Sequence, residues 1–141
     1  MELLKSYIDA NLIINALSDE VEIAKRAMRF LTDTKRRRVV SDYVELETLP
    51  KMRYNKRAKQ VAFTEGIFRS AIYVYSNDAI IKRAHDLANT YGLAGMDALH
   101  AACAIEAGAD ELLTFEGPTK PFFRIPPEVL KVVSLHSAAA E

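Results

Sequence analysis

The sequence has a single cysteine, Cys103, and little that would direct the chain to a membrane. One cysteine excludes an intramolecular disulfide and a cysteine-rich zinc site. The amino-terminal residues show no basic segment followed by a long apolar run, and no stretch approaches the roughly 20 apolar residues of a membrane span. We therefore expect a cytoplasmic protein.

Net charge is also absent. Nineteen basic and nineteen acidic side chains cancel, so the bulk charge indicates neither a nucleic-acid partner nor a membrane partner. The distribution is uneven, however, because residues 25–59 hold twelve Lys/Arg against four Asp/Glu. This local excess of positive charge is compatible with a polyanion-facing surface beside an acidic region.

The length of 141 residues suits one hydrophobic core, so we expect a single domain over residues 1–141. Half of the residues are hydrophobic and 27% are charged, which is typical of a globular protein. There is no internal repeat and no low-complexity block apart from a short alanine run at 138–140.

Hydrophobic patterning predicts strands that alternate with helices. The predicted strands are 3–9, 38–41, 112–115 and 129–135. The predicted helices are 11–17, a helix capped by Asp19 that runs to about residue 34, a helix from Asp42 that ends or kinks near Pro50, 55–75, a helix capped by Asn77 or Asp78 that ends near Gly92, and 96–107. This alternation predicts an α/β fold with a parallel sheet covered on both faces.

Four carboxylates stand at or after the carboxyl ends of these strands, where open α/β sheets carry their ligands. Asp9 ends the first strand, and Glu47 lies on the helix after the second. Asp97 begins the alanine-rich helix, and Glu116 follows the strand at 112–115. If the sheet is parallel, these acids meet at one edge without matching lysines. Such a cluster is costly unless a cation joins it, and oxygen ligands alone favour Mg²⁺ or Mn²⁺.

Each acid also has a structural explanation when it is taken singly. Asp9 and Asp97 fit helix caps, Glu47 fits a solvated helix position, and Glu116 fits a loop charge. His100 lies three residues after Asp97 on the same helix face, a spacing that can bind zinc. No second His or Cys is nearby, so packing or a backbone hydrogen bond is the favoured interpretation of His100.

Several other side chains are expected to be structural. Cys103, on the alanine-rich helix, is expected to be a buried small hydrophobe. Four aromatic residues are expected in the core rather than in a base-stacking platform: Phe63, Phe68, Tyr73 and Tyr75.

Four segments of the sequence resemble the PIN-domain ribonucleases, a family that includes the VapC-like toxins of bacterial toxin–antitoxin pairs. The segments are YIDANLII, SDYVELETL, GMDALHAACAIEAGAD and LLTFE, in this order over nearly the whole chain. The Asp-Ala-Leu-His-Ala-Ala run after Gly-Met is the most specific. The resemblance implies a three-layer PIN-like fold with a parallel sheet of four or five strands flanked by helices. It also implies hydrolysis of single-stranded RNA that depends on Mg²⁺ or Mn²⁺.

By this resemblance, the family's catalytic, metal-binding acids fall on Asp9, Glu47, Asp97 and Glu116. Asp9 and Asp97 would hold the metal, and Glu47 would be a ligand or orient the attacking water. The fourth family acid is usually Asp, so the longer Glu116 is the main departure and would act through a second metal or through water. Glu45 competes with Glu47, but residues two apart on a helix point about 200° apart, so only one can face the site.

Other residues surround this predicted site. Asn11 is expected to donate to a phosphate or a carboxylate, or to cap the following helix. Thr114 is expected to hydrogen-bond to a carboxylate or only to pack in its strand. The cations preferred for binding RNA follow the Glu47 helix: Lys51, Arg53, Lys56 and Arg57. The basic run at 35–38 is the alternative phosphate contact, or else a solvated turn.

A toxin role follows only from the resemblance, which implies a small antitoxin that occludes the acidic pocket, and a homodimer. Two other classes stay open. One is a catalytically inactive PIN scaffold that binds RNA or protein, for which the replacement at Glu116 is the best argument. The other is a haloacid-dehalogenase-like phosphatase, which expects Asp-x-Asp, whereas Asp9 is followed by Ala10-Asn11.

Overall fold

The computed structural model describes residues 2–136, so the alanine run at 138–140 lies outside the described residues. The strands are β1 (Leu4–Ile8), β2 (Arg36–Ser41), β3 (Ile72–Val74), β4 (Glu111–Thr114) and β5 (Val132–Ser134). The α-helices are α1 (Ala10–Ala16), α2 (Val21–Leu31), α3 (Asp42–Tyr54), α4 (Ala58–Ser70), α5 (Asp78–Tyr91) and α6 (Gly95–Glu106). A short 3₁₀ helix covers Pro121–Arg124. No helix within residues 2–136 is both long enough and apolar enough to cross a membrane.

All five strands lie in one parallel sheet with the order β3-β2-β1-β4-β5. Its central strands are fully buried at successive positions, as Tyr7 with Ile8 and Leu112 with Leu113 show. Such strands need helices on both faces, because each face of a parallel sheet must be covered. Right-handed crossovers put α1 to α4 on one face and α5 with α6 on the other. The predicted three-layer α/β fold is confirmed, with five strands.

The order of the strands reverses between β1 and β4. The chain continues from β1 to β2 on one side of this point and from β4 to β5 on the other. In open α/β sheets, ligands bind outside the carboxyl ends of the strands at such a switch point. Asp9 directly follows β1, and Glu116 lies two residues after β4. The topology therefore brings these two acids to the same place.

The helix expected to end or kink near Pro50 continues to Tyr54. Proline has no N–H to donate to the carbonyl four residues earlier, which belongs to Leu46. Pro50 and Leu46 are both exposed, so solvent is available to that carbonyl and the helix tolerates the missing bond.

The single helix predicted over residues 55–75 is wrong. The chain forms α4, which ends at Ser70, and then β3. Ile72, Tyr73 and Val74 are β-branched or aromatic, and β3 pairs with the edge of β2, with Ile72 opposite Val39. The pairing with β2 is a tertiary contact, and helical spacing in the preceding residues does not reveal it.

Two boundary predictions need smaller corrections. Asp19 does not cap α2, whose N-cap residue is Glu20, and the backbone N–H of Glu20 donates to Ser18 Oγ at 3.1 Å. β2 begins at Arg36, two residues before the predicted start, because its backbone pairs with β1 from that point, with Arg36 opposite Leu4. The predicted limits of α5 are confirmed: Asn77 Oδ1 accepts from the Ile80 N–H at 3.0 Å, and Gly92 ends the helix with φ 68°.

Candidate functional site

Asp9 lies at the switch point and is only 7% exposed. It occupies the N-cap position of α1, but its side chain makes no capping hydrogen bond. Instead, its Oδ2 accepts a hydrogen bond of 2.8 Å from Thr114 Oγ1 at the end of β4. Burial raises the pKa of Asp9, whereas the neighbouring His100 and the Thr114 hydrogen bond lower it. Asp9 is therefore a buried acid that faces the sheet edge rather than a helix cap.

Thr114 connects three parts of this edge. Besides donating to Asp9, its Oγ1 accepts from Asn11 Nδ2 and from the backbone N–H of Glu116, both at 3.1 Å. Asn11 Oδ1 accepts from the backbone N–H of Phe115 at 3.0 Å. Thr114 thus hydrogen-bonds to a carboxylate, one of its two predicted roles. Asn11 serves a third purpose, which is to hold the loop after β4 against α1.

Glu47 approaches Asp9 from α3. Its Oε1 lies 2.5 Å from His100 Nε2, which is itself 3.8 Å from Asp9 Oδ1. One potential ligand atom from each of these three residues lies within 4.8 Å of the others. Glu45, by contrast, accepts a hydrogen bond of 2.8 Å from the hydroxyl of Tyr73. The two glutamates therefore have separate surroundings, as their helical spacing predicts, and Glu47 is the one beside Asp9.

His100 corrects the sequence-based interpretation of packing or a backbone hydrogen bond. The ring is 1% exposed, and both of its nitrogens bond to side chains. Nδ1 lies 2.8 Å from the Tyr7 hydroxyl, and Nε2 contacts Glu47. The spacing from Asp97 pointed to the correct helix face. The partners came from β1 and α3, which only the tertiary structure brings to α6.

Asp97 and Glu116 complete the acidic edge. Asp97 lies in the first turn of α6, whose N-cap residue is Ala94, so it is not the cap. Burial, followed by the charges of Glu116 and Asp9, raises the pKa of this half-buried carboxyl to about 6. Burial and Asp9 also raise the pKa of Glu116, which Lys120 lowers. The effects of these acids on one another's pKa indicate that they share one electrostatic environment. Lys120 is a neighbouring cation that the sequence patterns did not indicate.

The four cations predicted to bind RNA line two neighbouring grooves, and Arg57 lines both. Lys51 and Arg57 line a groove of about 380 Å³ that also contains Glu47. Arg53 Nη2 lies 3.3 Å from Glu65 Oε2, and Lys56 is beside that pair in a neighbouring groove. Lys51 and Arg57 are therefore the two that border the acidic edge.

The basic run at 35–38 lies at the start of β2, at the opposite edge of the sheet. Arg36 bonds to Asp33 and to the buried Glu111, at 2.6 and 2.7 Å. Arg37 donates to the Ser70 carbonyl and Arg38 to the Ser70 hydroxyl, at 2.5 and 2.6 Å. Arg36, Arg37 and Arg38 thus belong to the strand and make contacts within the chain, whereas Lys35 lies exposed in the turn before it, as one of the two interpretations expects.

The residues expected to be structural are buried or pack against the core, with one exception. Cys103 is fully buried, and burial raises its pKa to about 11. Phe63, Phe68 and Tyr73 pack partly buried against the core. Tyr75 is wrong as a core residue, because it is 71% exposed. It follows the edge strand β3, beside which the described residues place no further strand.

The side chains present fit a hard divalent cation. Asp9 and Glu47 supply carboxylate oxygens close together, and Asp97 adds a third carboxylate whose pKa is raised by burial and then by the neighbouring acids. Magnesium and manganese prefer such oxygen donors, and a bound cation would relieve the repulsion between them. Glu116 lies at the same edge and is available to a second ion or to a water.

The sequence model of the PIN domain matches residues 6–117, a span that includes all four acids. The chain belongs to the PIN domain family. A search of curated protein sequences finds no significant match.

Solved structures share the fold over almost their whole length. A toxin–antitoxin complex from Klebsiella pneumoniae aligns with TM-score 0.72 and 23% identity, over 92% of this chain and 97% of that one. VapBC-1 from nontypeable Haemophilus influenzae aligns with TM-score 0.68 and 21% identity, over 95% and 100%. VapBC2 from Rickettsia felis, bound to a DNA fragment from their promoter, aligns with TM-score 0.65 and 18% identity, over 92% and 97%. At these identities the likeness shows the fold.

Proposed function

We propose that this PIN domain is a metal-dependent endoribonuclease that hydrolyses phosphodiester bonds of single-stranded RNA. The observation that carries the proposal is the meeting of Asp9 and Glu47 at the switch point, where one potential ligand atom from each, and one from His100, lie within 4.8 Å of one another. Asp97 and Glu116 add negative charge there: burial, followed by the charges of Glu116 and Asp9, raises the pKa of Asp97 to about 6. A site that concentrates negative charge in this way suits a cation rather than an anionic substrate alone.

Asp9, Glu47 and Asp97 would hold Mg²⁺ or Mn²⁺, with Glu116 acting through a second ion or through water. A divalent cation bound there would supply a nucleophilic water near neutral pH and offset the charge of the transition state. These four acids are the proposed catalytic residues, and Asn11 and Thr114 support them through hydrogen bonds.

The chain's own side chains prepare this arrangement. Thr114 orients Asp9, because its hydroxyl donates to Oδ2, and the other oxygen, Oδ1, lies 3.8 Å from His100 Nε2. Lys51 and Arg57, in the groove beside Glu47, would bind phosphates of the RNA on either side of the cleaved bond. Arg53 and Lys56, one groove further away, would extend that contact.

The direct test is to incubate the purified protein with mixed single-stranded RNAs in Mg²⁺, in Mn²⁺ and in EDTA. We expect cleavage with either metal, no cleavage in EDTA, and products with 5′-phosphate and 3′-hydroxyl ends. These ends are expected because water, and not the ribose 2′-hydroxyl, attacks the phosphorus. An Asp9→Asn preparation controls for contaminating nucleases. Cleavage that persists in EDTA and leaves cyclic phosphates would exclude this mechanism.

The biological role we propose is that of a cytoplasmic toxin held inactive by a small antitoxin protein. Support comes from the similar structures, which are toxin–antitoxin and VapBC complexes. Expression without the antitoxin should arrest growth, whereas the Asp9→Asn variant should not. A short neighbouring gene for a DNA-binding protein would supply the partner. Light scattering of the purified chain should give the mass of a homodimer.

The alternative is a PIN scaffold that binds RNA without cleaving it. Its support is the replacement of the usual fourth Asp by Glu116, whose side chain is only partly buried. RNA binding in the absence of any manganese-dependent cleavage would favour this alternative over the nuclease.

A further inference from the structure

A continuous chain of hydrogen bonds runs from the start of α3 to the Glu47 carboxylate. Ser41, the N-cap of α3, accepts from the backbone N–H groups of Tyr43 and Val44 at 3.2 and 3.4 Å. Its Oγ lies 2.7 Å from the Tyr7 hydroxyl. Tyr7 in turn lies 2.8 Å from His100 Nδ1, and His100 Nε2 lies 2.5 Å from Glu47. Ser41, Tyr7 and His100 are all buried.

The hydrogen bonds that cap α3 determine which atom is the donor in each of the other hydrogen bonds of this series. A hydroxyl oxygen has two acceptor sites and one proton to donate. The two backbone N–H groups occupy both acceptor sites of Ser41, so Ser41 donates its proton to the Tyr7 oxygen. Tyr7 then donates its own proton to His100 Nδ1. Because Nδ1 accepts, the hydrogen of the imidazole is on Nε2 and is donated to Glu47.

The opposite direction is unfavourable. If Tyr7 donated to Ser41, three donors would converge on one oxygen that has two acceptor sites, and the Ser41 proton would no longer have the Tyr7 oxygen as its acceptor. The Cys103 thiol, which contacts both hydroxyls, is a weaker hydrogen-bonding partner than either of them.

We infer that His100 is a positioning residue that holds Glu47 through Nε2–H, and that it is not a metal ligand. The inference rests on the proposed metal site, because Glu47 is the acid it holds. An imidazole binds metal only through a nitrogen without hydrogen. With Nε2 protonated, the donors facing the ion are carboxylate oxygens, although the imidazole lies within 4.8 Å of Asp9 and Glu47. The site would therefore prefer Mg²⁺ or Mn²⁺ over Zn²⁺.

This role explains why a partly exposed acid can be part of an ordered site. The Glu47 side chain is 37% exposed, so without a partner it would sample several rotamers. The series of hydrogen bonds through Ser41, Tyr7 and His100 joins the Glu47 carboxylate to the first turn of its own helix, by way of β1 and α6. Glu47 is then held before a metal or an RNA arrives.

The tautomer can be read without any substitution that threatens the fold. Protein labelled with ¹⁵N-histidine is examined near neutral pH by long-range ¹H–¹⁵N correlation, with and without Mg²⁺. A His100→Gln sample assigns the signal among the three histidines. We expect Nε2 to carry a hydrogen in both conditions. A bare Nε2 in either condition would overturn the inference.

A second experiment measures Mn²⁺ affinity from the electron paramagnetic resonance signal of the free ion. His100→Leu fills a similar volume without a donor, and we expect its affinity to fall roughly 10- to 100-fold. In a Glu47→Gln background, His100→Leu should cause no further loss of Mn²⁺ affinity. The reason is that His100 affects the metal only through the Glu47 carboxylate, which this background already lacks. An equal loss in both backgrounds would identify His100 as a ligand. Circular dichroism checks that each variant is folded.

Neither experiment uses RNA. A protein that binds Mn²⁺ with the expected tautomer but cleaves nothing would contradict the ribonuclease and leave the role of His100 supported. A protein that cleaves RNA but has a bare Nε2 would support the ribonuclease and contradict the role of His100.

Discussion

Thr114 Oγ1 donates a hydrogen bond of 2.8 Å to Asp9 Oδ2 and so joins the carboxyl end of β4 to that of β1. These adjacent strands flank the point where the sheet order reverses. The bond is buried, so it both satisfies a buried carboxylate and fixes its orientation toward the other acids. A single hydroxyl therefore links the topology of the sheet to the geometry of the site.

Replacing Thr114 with Val should destabilise the protein by about 1–3 kcal/mol, because Asp9 loses its donor and Asn11 its acceptor. The pKa of Asp9 should rise further, because the hydrogen bond that lowers it is gone. Urea unfolding measures the stability. Thr114→Ser keeps the hydroxyl and is the matched control. Equal stability of the valine and serine variants would show that the hydroxyl does not support Asp9.

Replacing Glu47 with Gln should abolish cleavage, whereas Glu45→Gln should leave most of it. Both changes remove one negative charge two residues apart on α3. Only Glu47 contacts His100, while Glu45 accepts from Tyr73, and an amide oxygen can still accept there. Initial rates on one RNA under saturating Mn²⁺ compare the two. The reverse order of effects would mean that Glu45 is the second acid.

Replacing Lys51 and Arg57 with Ala should weaken RNA binding and its dependence on salt. Each lost phosphate contact to a single strand reduces the slope of log K against log salt by about 0.7, so we expect a reduction of about 1.4. Fluorescence anisotropy in several salt concentrations measures it. The control, Lys35→Ala with Lys131→Ala, removes the same charge from the amino ends of β2 and β5. A larger effect of the control would locate the RNA at that edge.

Replacing Asp97 with Asn should abolish cleavage and yet stabilise the metal-free protein at neutral pH. The folded pKa of about 6 is above the ordinary value of 3.8. The native state therefore holds a proton that the unfolded state has lost between these values, and stability falls as the pH rises through about 6. Asp97 is half-exposed, so solvent screening reduces the gain from Asn to about 1 kcal/mol, or about 3 °C in Tm.

Thermal melts of wild type and Asp97→Asn at about pH 4.5 and about pH 7.5, with and without Mn²⁺, check this expectation. The difference in Tm without metal should shrink at the lower pH, where the wild-type carboxyl is protonated. The variant should also lose most of the stabilisation that Mn²⁺ gives the wild type. A less stable variant that Mn²⁺ stabilises as before would identify Asp97 as a structural residue.

The class of fold follows from the amino-acid sequence alone, and so does the expectation that acids lie at one edge of its sheet. Alternating strand and helix patterns require a parallel sheet, and the carboxyl ends of parallel strands meet at one edge. Asp9 and Glu116 follow directly from this rule. Helical spacing was enough to show that only one of Glu47 and Glu45 can face the site, because local geometry sets the angle between them, and the resemblance to the PIN family pointed to Glu47.

Contacts between distant segments account for the features that local patterns do not predict. β3 exists because β2 offers an edge for pairing, and α3 continues past Pro50 because that side of the helix faces solvent. His100 differed most from expectation, since its partners Tyr7 and Glu47 are 93 and 53 residues away in the chain. Hydrogen bonds between distant segments form only where the fold brings their atoms together. The sequence therefore shows which acids meet, and only the folded chain shows which side chains orient them.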